Sequence, residues 1–233
     1  WINECNYIRK SLVGHDDQLP NYVVKKISDK IPENHTITTD VGQNQVWISQ
    51  SFVVKSKQRI LFSGGHAPMG FSLPAAIGAY YSSNKTVYCF VGDGGMQINI
   101  QELQYIYREK LPIKIIILNN NSLGMIRHFQ EMYFDSHFTD TVEGNGYSNP
   151  NFTKIGKAYG IESHVVHKID EFDEYLNLFL DDKPLLLDIK IGSLTYVYPK
   201  LEFTKPIYDQ EPPLDRKFLL ELLNYSSSTV PKK

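Results

Sequence analysis

Two cysteines in 233 residues, Cys5 and Cys89, are too few for a disulfide framework. Cys89 falls inside an apolar strand pattern and reads as a small buried hydrophobe. Such sparing use of cysteine fits a reducing cytoplasm, which is the expected location. No apolar run approaches the roughly 20 residues needed to span a bilayer. No Lys/Arg run marks a nucleic-acid or membrane patch, and the formal net charge of −2 argues against nonspecific nucleic-acid binding. Internal repeats and low-complexity blocks are missing too. The opening residues Trp1-Ile2-Asn3-Glu4 carry neither a signal peptide nor an initiator Met, so the chain reads as cut from something longer.

What is present is ordinary for a globular protein, with 42% hydrophobic and 21% charged residues. The length provides for one large domain or a domain with appendages. Apolar positions at helical spacing predict a helix over 20–31, followed by a strand at 35–39. Asp40-Val41-Gly42-Gln43 then turns into a helix near 44–51. A short strand at 59–62 leads to Ser63-Gly64-Gly65 and Met69-Gly70, after which small residues over 72–79 suit a helix packed closely on a sheet.

The strand 87–91 ends in a Gly92-Asp93-Gly94 turn, with a helix expected over 99–109. Next come a strand over 113–118 ending at Asn119-Asn120, a helix over 124–131 and a long polar surface loop over 134–150. A helix (151–159), strand (162–166), helix (169–181) and strand (185–190) complete the pattern. Strands alternating with helices predict a three-layer α/β/α fold with a mainly parallel sheet. The proline-rich tail after Pro199 reads as wrapping the surface before a last short helix at 214–224.

Chemistry concentrates between Gly92 and Asn120. An acidic residue and a carboxamide, each at the carboxyl end of a neighbouring strand, can share one hard cation, while glycines let backbone N–H groups close on a phosphate. Simpler readings stand beside this one: a tight turn at 92–95, a polar helix cap at Asn119-Asn120-Asn121, a core Met69, structural His66 and His128, solvated Glu102 and Glu131. A dinucleotide fingerprint fails because its third glycine position falls on Gln97 and no acidic residue ends the following strand. A phosphate loop fails because no Gly-Lys-Ser/Thr follows. No Ser-His-Asp context supports nucleophilic hydrolysis. Oxygen donors without a His/Cys cluster point to magnesium rather than zinc or copper.

The segment from Gly92-Asp93-Gly94 to Asn119-Asn120 resembles the signature of thiamine diphosphate enzymes. Thr38-Thr39-Asp40-Val41-Gly42-Gln43, the stretch from Met69-Gly70-Phe71 to Ala79, and Ile117 to Met125 are similar to the acetolactate (acetohydroxyacid) synthase large subunit. The resemblance covers roughly residues 1–198. It implies a thiamine diphosphate-binding fold over 17–198, with residues 1–16 as the end of a preceding central domain or linker and 199–233 as a tail. It implies that Asp93 and Asn120 bind Mg2+ through their side chains and Ser122 through its backbone carbonyl. Val41, Gly42, Gln43, Asn44, Gly94, Gly95, Gly124 and Met125 would line the diphosphate and thiazolium. Met69 would be the apolar fulcrum that bends the cofactor, and Phe129 would face the substrate.

The implied activity is decarboxylation of a 2-oxo acid such as pyruvate and ligation of the remaining carbon unit to a second oxo acid, as in branched-chain amino-acid biosynthesis. A glutamate that activates the cofactor would come from the pyrimidine-binding domain of a second subunit. The whole enzyme is therefore expected to be a homodimer or homotetramer and the isolated chain inactive. A flavin (FAD), if the full-length enzyme holds one, would lie outside this chain. Neither a nucleic acid nor a membrane is an expected partner. Asn44 stands where the typical synthase has His, and Phe129 where many have Trp. Residues 199–213 look closer to relatives found with surface-sugar pathways. A simple decarboxylase or lyase, or a noncatalytic oligomer-forming module, remain as alternatives.

Overall fold

The computed structural model describes Asn3, Tyr7 and residues 20–228. Cys5 and the expected linker at 1–16 lie outside the described residues, apart from those two positions. Contacts divide the chain into two compact units, one within residues 15–196 and one formed from Val197 onward together with the first residues. In the smaller unit Tyr7 packs edge-on against Phe218, which lies on a helix spanning Arg216–Ser228.

The larger unit begins with α1 (Pro20–Lys30), whose Val23, Val24 and Ile27 are buried at helical spacing. It continues with β1 (Thr36–Thr39), α2 (Gln43–Ser51), β2 (Arg59–Leu61), α3 (Ser72–Ser83) and β3 (Val87–Gly92). Next come α4 (Asp93–Ile98), α5 (Glu102–Arg108), β4 (Ile113–Asn119), α6 (Gly124–Tyr133) and two short strands, β5 (Val142–Glu143) and β6 (Gly146–Tyr147). The unit closes with α7 (Phe152–Ala158), β7 (Glu162–Val166), a 3-10 turn over Ile169–Tyr175, α8 (Leu176–Leu180) and β8 (Leu185–Lys190).

Six of these strands form one sheet in the order β2-β1-β3-β4-β8-β7, every neighbouring pair parallel. The reason is legible in β3, β4 and β8, whose near-continuous apolar runs are buried on both faces. Lys114 interrupts β4, yet it is fully buried because its Nζ donates to the Leu178 and Lys183 carbonyls and to Asp181, each at 2.6 Å. Among the described residues no helix is long and apolar enough to cross a membrane.

Three local expectations are corrected. Gly92-Asp93-Gly94 is not a free turn but the start of α4, since Gly92 is extended and Asp93 already helical. The polar stretch 134–150 is not all loop, because β5 and β6 pair within it. The segment 169–181 is not one helix: its first seven residues wind as a 3-10 turn.

The strand order fixes where a ligand can sit. The chain moves outward from β1 to β2 and then returns across β1 to β3, so the crevice at the carboxyl ends of β1 and β3 is a topological switch point. The β3–β4 register pairs Gly92 with Leu118. Asp93 and Asn119 therefore leave the sheet side by side.

Candidate functional site

At that crevice lies a cavity of about 260 Å3. Its walls include Val41, Gly42, Gln43 and Asn44 from the end of β1 and α2, Met69 from the loop before α3, and Asp93, Gly94 and Gly95 from α4. Asn120, Ser122, Gly124 and Met125 close it from the β4–α6 turn. The cavity thus brings together all but one of the site residues expected from the sequence. The exception is Phe129, which is not among the walls. It stands one turn beyond Met125 on α6, 39% exposed, and packs against Tyr133 and Phe134.

The carboxylate of Asp93 is buried and almost fully ligated by the protein. Its Oδ1 accepts the Gly94 N–H at 2.9 Å. Its Oδ2 accepts the Ser122 N–H at 3.1 Å and an Asn149 amide hydrogen at 2.7 Å. Burial pushes its pKa up, against the opposing pull of these hydrogen bonds. Burial and the neighbouring Asp93 charge also push the Tyr147 phenol up. Asn120 donates one amide hydrogen to Gln43 Oε1 at 3.1 Å and the other to Thr195 Oγ1 at 3.2 Å, which leaves its Oδ1 for a ligand. Ser122 uses its N–H on Asp93 and its hydroxyl on the Thr141 carbonyl, which leaves its backbone carbonyl.

Asn119 is an organiser of this turn and not a wall of the cavity. Its amide donates to buried Asp188, and its Oδ1 accepts from the Asn121 N–H and from Asn149. The left-handed Asn121 (φ 51°) then swings the chain toward α6. A Cβ at Gly124 would overlap Gln43 Oε1 and lie 2.6 Å from the Asn120 amide nitrogen, so only glycine leaves that hydrogen bond intact. Gly42, at φ 75°, makes the matching turn into α2.

The donor set suits a metal-bridged anion. Helices α2, α4 and α6 all begin at the cavity; α2 and α6 have no side-chain cap, whereas the Asp93 carboxylate takes the Gly94 N–H of α4. First-turn N–H groups have no intrahelical partner, and a phosphate can take them. Among the described residues no cluster of three or more His, Cys, Asp or Glu side chains could hold a metal. The available cation ligands are therefore one carboxylate oxygen, one carboxamide oxygen and one carbonyl, a hard-oxygen set. Asn44 contributes differently from the other walls. Its amide hydrogens go to Thr39 Oγ1 and the Asp40 carbonyl, and its buried Oδ1 has no partner.

Sequence reasoning missed three contributors. Asp40 is buried at the end of β1, and its carboxylate accepts from the N–H groups of Val41, Gly70 and Ser72 and from the Ser72 hydroxyl. It pins the Met69 loop to the first wall, and burial pushes its pKa up. Thr195 accepts from Gln43 and Arg127 through its carbonyl and from Asn120 through its hydroxyl. Asn149 touches Asp93 from the polar stretch that reads as a surface loop. Only Asp40 carried a signal, as a charged residue between the β-branched strand Thr36–Thr39 and a glycine turn.

A family model described as thiamine pyrophosphate enzyme, C-terminal TPP binding domain, matches residues 40–189. Similarity extends to whole-protein relatives. The chain is 37% identical over 206 residues to the acetolactate synthase isozyme 2 large subunit of Escherichia coli (strain K12), covering 85% of the chain and 37% of that protein. It is 35% identical over 189 residues to the acetolactate synthase large subunit of Lactococcus lactis subsp. lactis (strain IL1403), covering 81% and 32%. A probable acetolactate synthase large subunit of Methanocaldococcus jannaschii is 38% identical over 204 residues, covering 82% and 34%. The chain therefore spans about a third of the length of these relatives.

Proposed function

The chain belongs to the C-terminal TPP-binding domains of thiamine pyrophosphate enzymes, and on that premise we propose that it forms the diphosphate- and cation-holding half of an acetolactate synthase-like carboligase. The observation that carries this reading is the meeting of Asp93, Asn120 and Ser122 with the two uncapped helix starts of α2 and α6 at one cavity. Thiamine diphosphate, when bound, supplies the electron sink that lets a 2-oxo acid lose carbon dioxide.

The residues of the chain do the holding. Asp93 Oδ1, Asn120 Oδ1 and the Ser122 carbonyl bind magnesium, with Gln43 and Thr195 fixing the Asn120 amide so that its oxygen faces inward. First-turn amides of α2 and α6 take phosphate oxygens. Met69, kept in place through the Asp40 contacts to Gly70 and Ser72, supports the cofactor's apolar side. Positioning of this kind lowers the barrier because the reacting groups need not be gathered at the moment of reaction.

The exposed apolar rim of Met69, Met125 and Ile126 supports a partner surface over the cavity. That partner is proposed to be the pyrimidine-binding domain of a second subunit, which brings the activating glutamate. The whole enzyme is then a cytoplasmic homodimer or homotetramer, and any flavin sits outside these residues. Pyruvate is the proposed first substrate. Product analysis of the complete enzyme with pyruvate tests this: acetolactate is expected, and free aldehyde as the sole product would overturn the carboligase reading. A wild-type rate in an Asp93→Ala enzyme would overturn the cofactor role of this cavity.

A further inference from the structure

We propose that Asn149 determines which divalent cation the Asp93 site accepts, by holding the Asp93 carboxylate to one-oxygen ligation. The inference rests on the cofactor reading above and concerns a residue that acts through Asp93, as a positioning residue.

All four hydrogen-bonding capacities of the Asn149 carboxamide are in use. Its Nδ2 donates to Asp93 Oδ2 at 2.7 Å and to Asn119 Oδ1 at 2.9 Å. Its Oδ1 accepts the Tyr147 hydroxyl at 2.8 Å and Gln97 Nε2 at 3.2 Å. The reversed amide would turn an acceptor toward two acceptors, the Asp93 carboxylate and the Asn119 carbonyl oxygen, so the orientation is fixed by its partners.

The consequence falls on Asp93. A carboxylate oxygen offers about two lone-pair directions. Both on Oδ2 are filled, by the Ser122 N–H and by Asn149. Oδ1 accepts the Gly94 N–H, and the Tyr147 hydroxyl also reaches the carboxylate, which leaves at most one direction on Oδ1 for a metal. Asp93 can then ligate through Oδ1 alone. Magnesium requires six oxygens at about 2.0–2.1 Å in near-ideal octahedral geometry, whereas calcium accepts six to eight at about 2.3–2.6 Å and often takes both oxygens of a carboxylate. Occupying Oδ2 therefore selects for the smaller ion.

The surroundings of Asn149 sharpen the point. It also lines a second cavity of about 420 Å3, together with Asn121, Glu143 and Lys190. Removing the carboxamide would free Oδ2 and join it to space that can hold the wider shell of a larger ion.

The test is calorimetric titration of Mg2+ and of Ca2+ into the chain in the presence of thiamine diphosphate, for wild type and Asn149→Ala. Magnesium affinity is expected to fall about tenfold and calcium affinity by less, so that the calcium-to-magnesium affinity ratio rises at least about threefold. Equal losses for both ions would overturn the proposal and leave Asn149 a structural residue. If thermal unfolding shows Asn149→Ala to be misfolded, Tyr147→Phe serves instead. It removes one bond that anchors the carboxamide and the phenol's own contact to Asp93, and the ratio should rise by a smaller step. An unchanged ratio in a folded Tyr147→Phe chain likewise overturns the proposal. A wild-type chain that binds neither ion would overturn the cofactor reading itself, a distinct result.

Discussion

The polar side of the site, where Asp93 and Asn120 line the cavity and Asn119 and Asn149 stand behind them, is largely buried and cross-linked, whereas the rim built by Met69, Met125 and Ile126 is apolar and 38%, 39% and 48% exposed. On the first side Asn120 and Asn149 have both amide hydrogens committed and Asn119 donates to Asp188, so the ligand oxygens are oriented before any ion arrives. On the second side the surface has the character of an unfinished contact. The difference supports the proposal that the cation ligands all come from one chain while the apolar half of the site is completed by a partner surface. Binding and turnover should therefore separate.

The comparison breaks most decisively at Asp93. Asp93→Ala removes the only carboxylate among the proposed ligands, and cation-dependent affinity for thiamine diphosphate should drop at least about 100-fold, more than loss of an outer-shell partner. A binding titration with and without Mg2+ reads this directly. Gly124→Ala attacks the same wall through its packing. Its Cβ must displace either Gln43 or Asn120, so affinity should fall about tenfold with little change in fold.

Asp40 sits between the two walls and predicts a pH effect. Its folded pKa is raised by burial, so between the unfolded value near 3.8 and that raised value the folded state binds more protons than the unfolded one. The stabilising share of this group is present at low pH and is lost as pH rises through the folded pKa. Asp40→Asn lacks that loss. Its Tm relative to wild type should thus climb with pH, most visibly toward neutrality, in paired thermal melts of the unliganded chains. A Tm difference that does not vary with pH would remove Asp40's charge from the account. The smallest effect is expected beyond the rim: Phe129→Ala should leave cofactor and cation affinity within about twofold, since it changes an exposed side chain away from the cavity walls.

The uneven finish of the site matches what could be read from the chain. Strands such as β3 and β4 were legible because a doubly covered parallel sheet demands continuous apolar runs, and those runs ended where Asp93 and Asn119 begin. Spacing alone placed Asp93 and Asn120 at neighbouring strand ends. Met69 was legible only through family resemblance, because a lone methionine in a glycine-rich loop carries no pattern. Asn149 and Thr195 were not legible at all. Each acts across 56 and 75 residues on Asp93 and Asn120, and such pairing depends on how loops return to the sheet and not on local periodicity. The start of α4 at Asp93 was missed for a related reason: two glycines after it lower helix propensity, and burial against the sheet overrides them.

The central claim is that this chain holds its cofactor and cation unaided but cannot turn over substrate alone. One sample can test it: thiamine diphosphate binding measured with Mg2+ and after chelation, followed by assay of the same protein with pyruvate. The account predicts saturable binding that is lost on chelation, with no acetolactate formed. Binding that is indifferent to the cation, or acetolactate produced by the isolated chain, would contradict it.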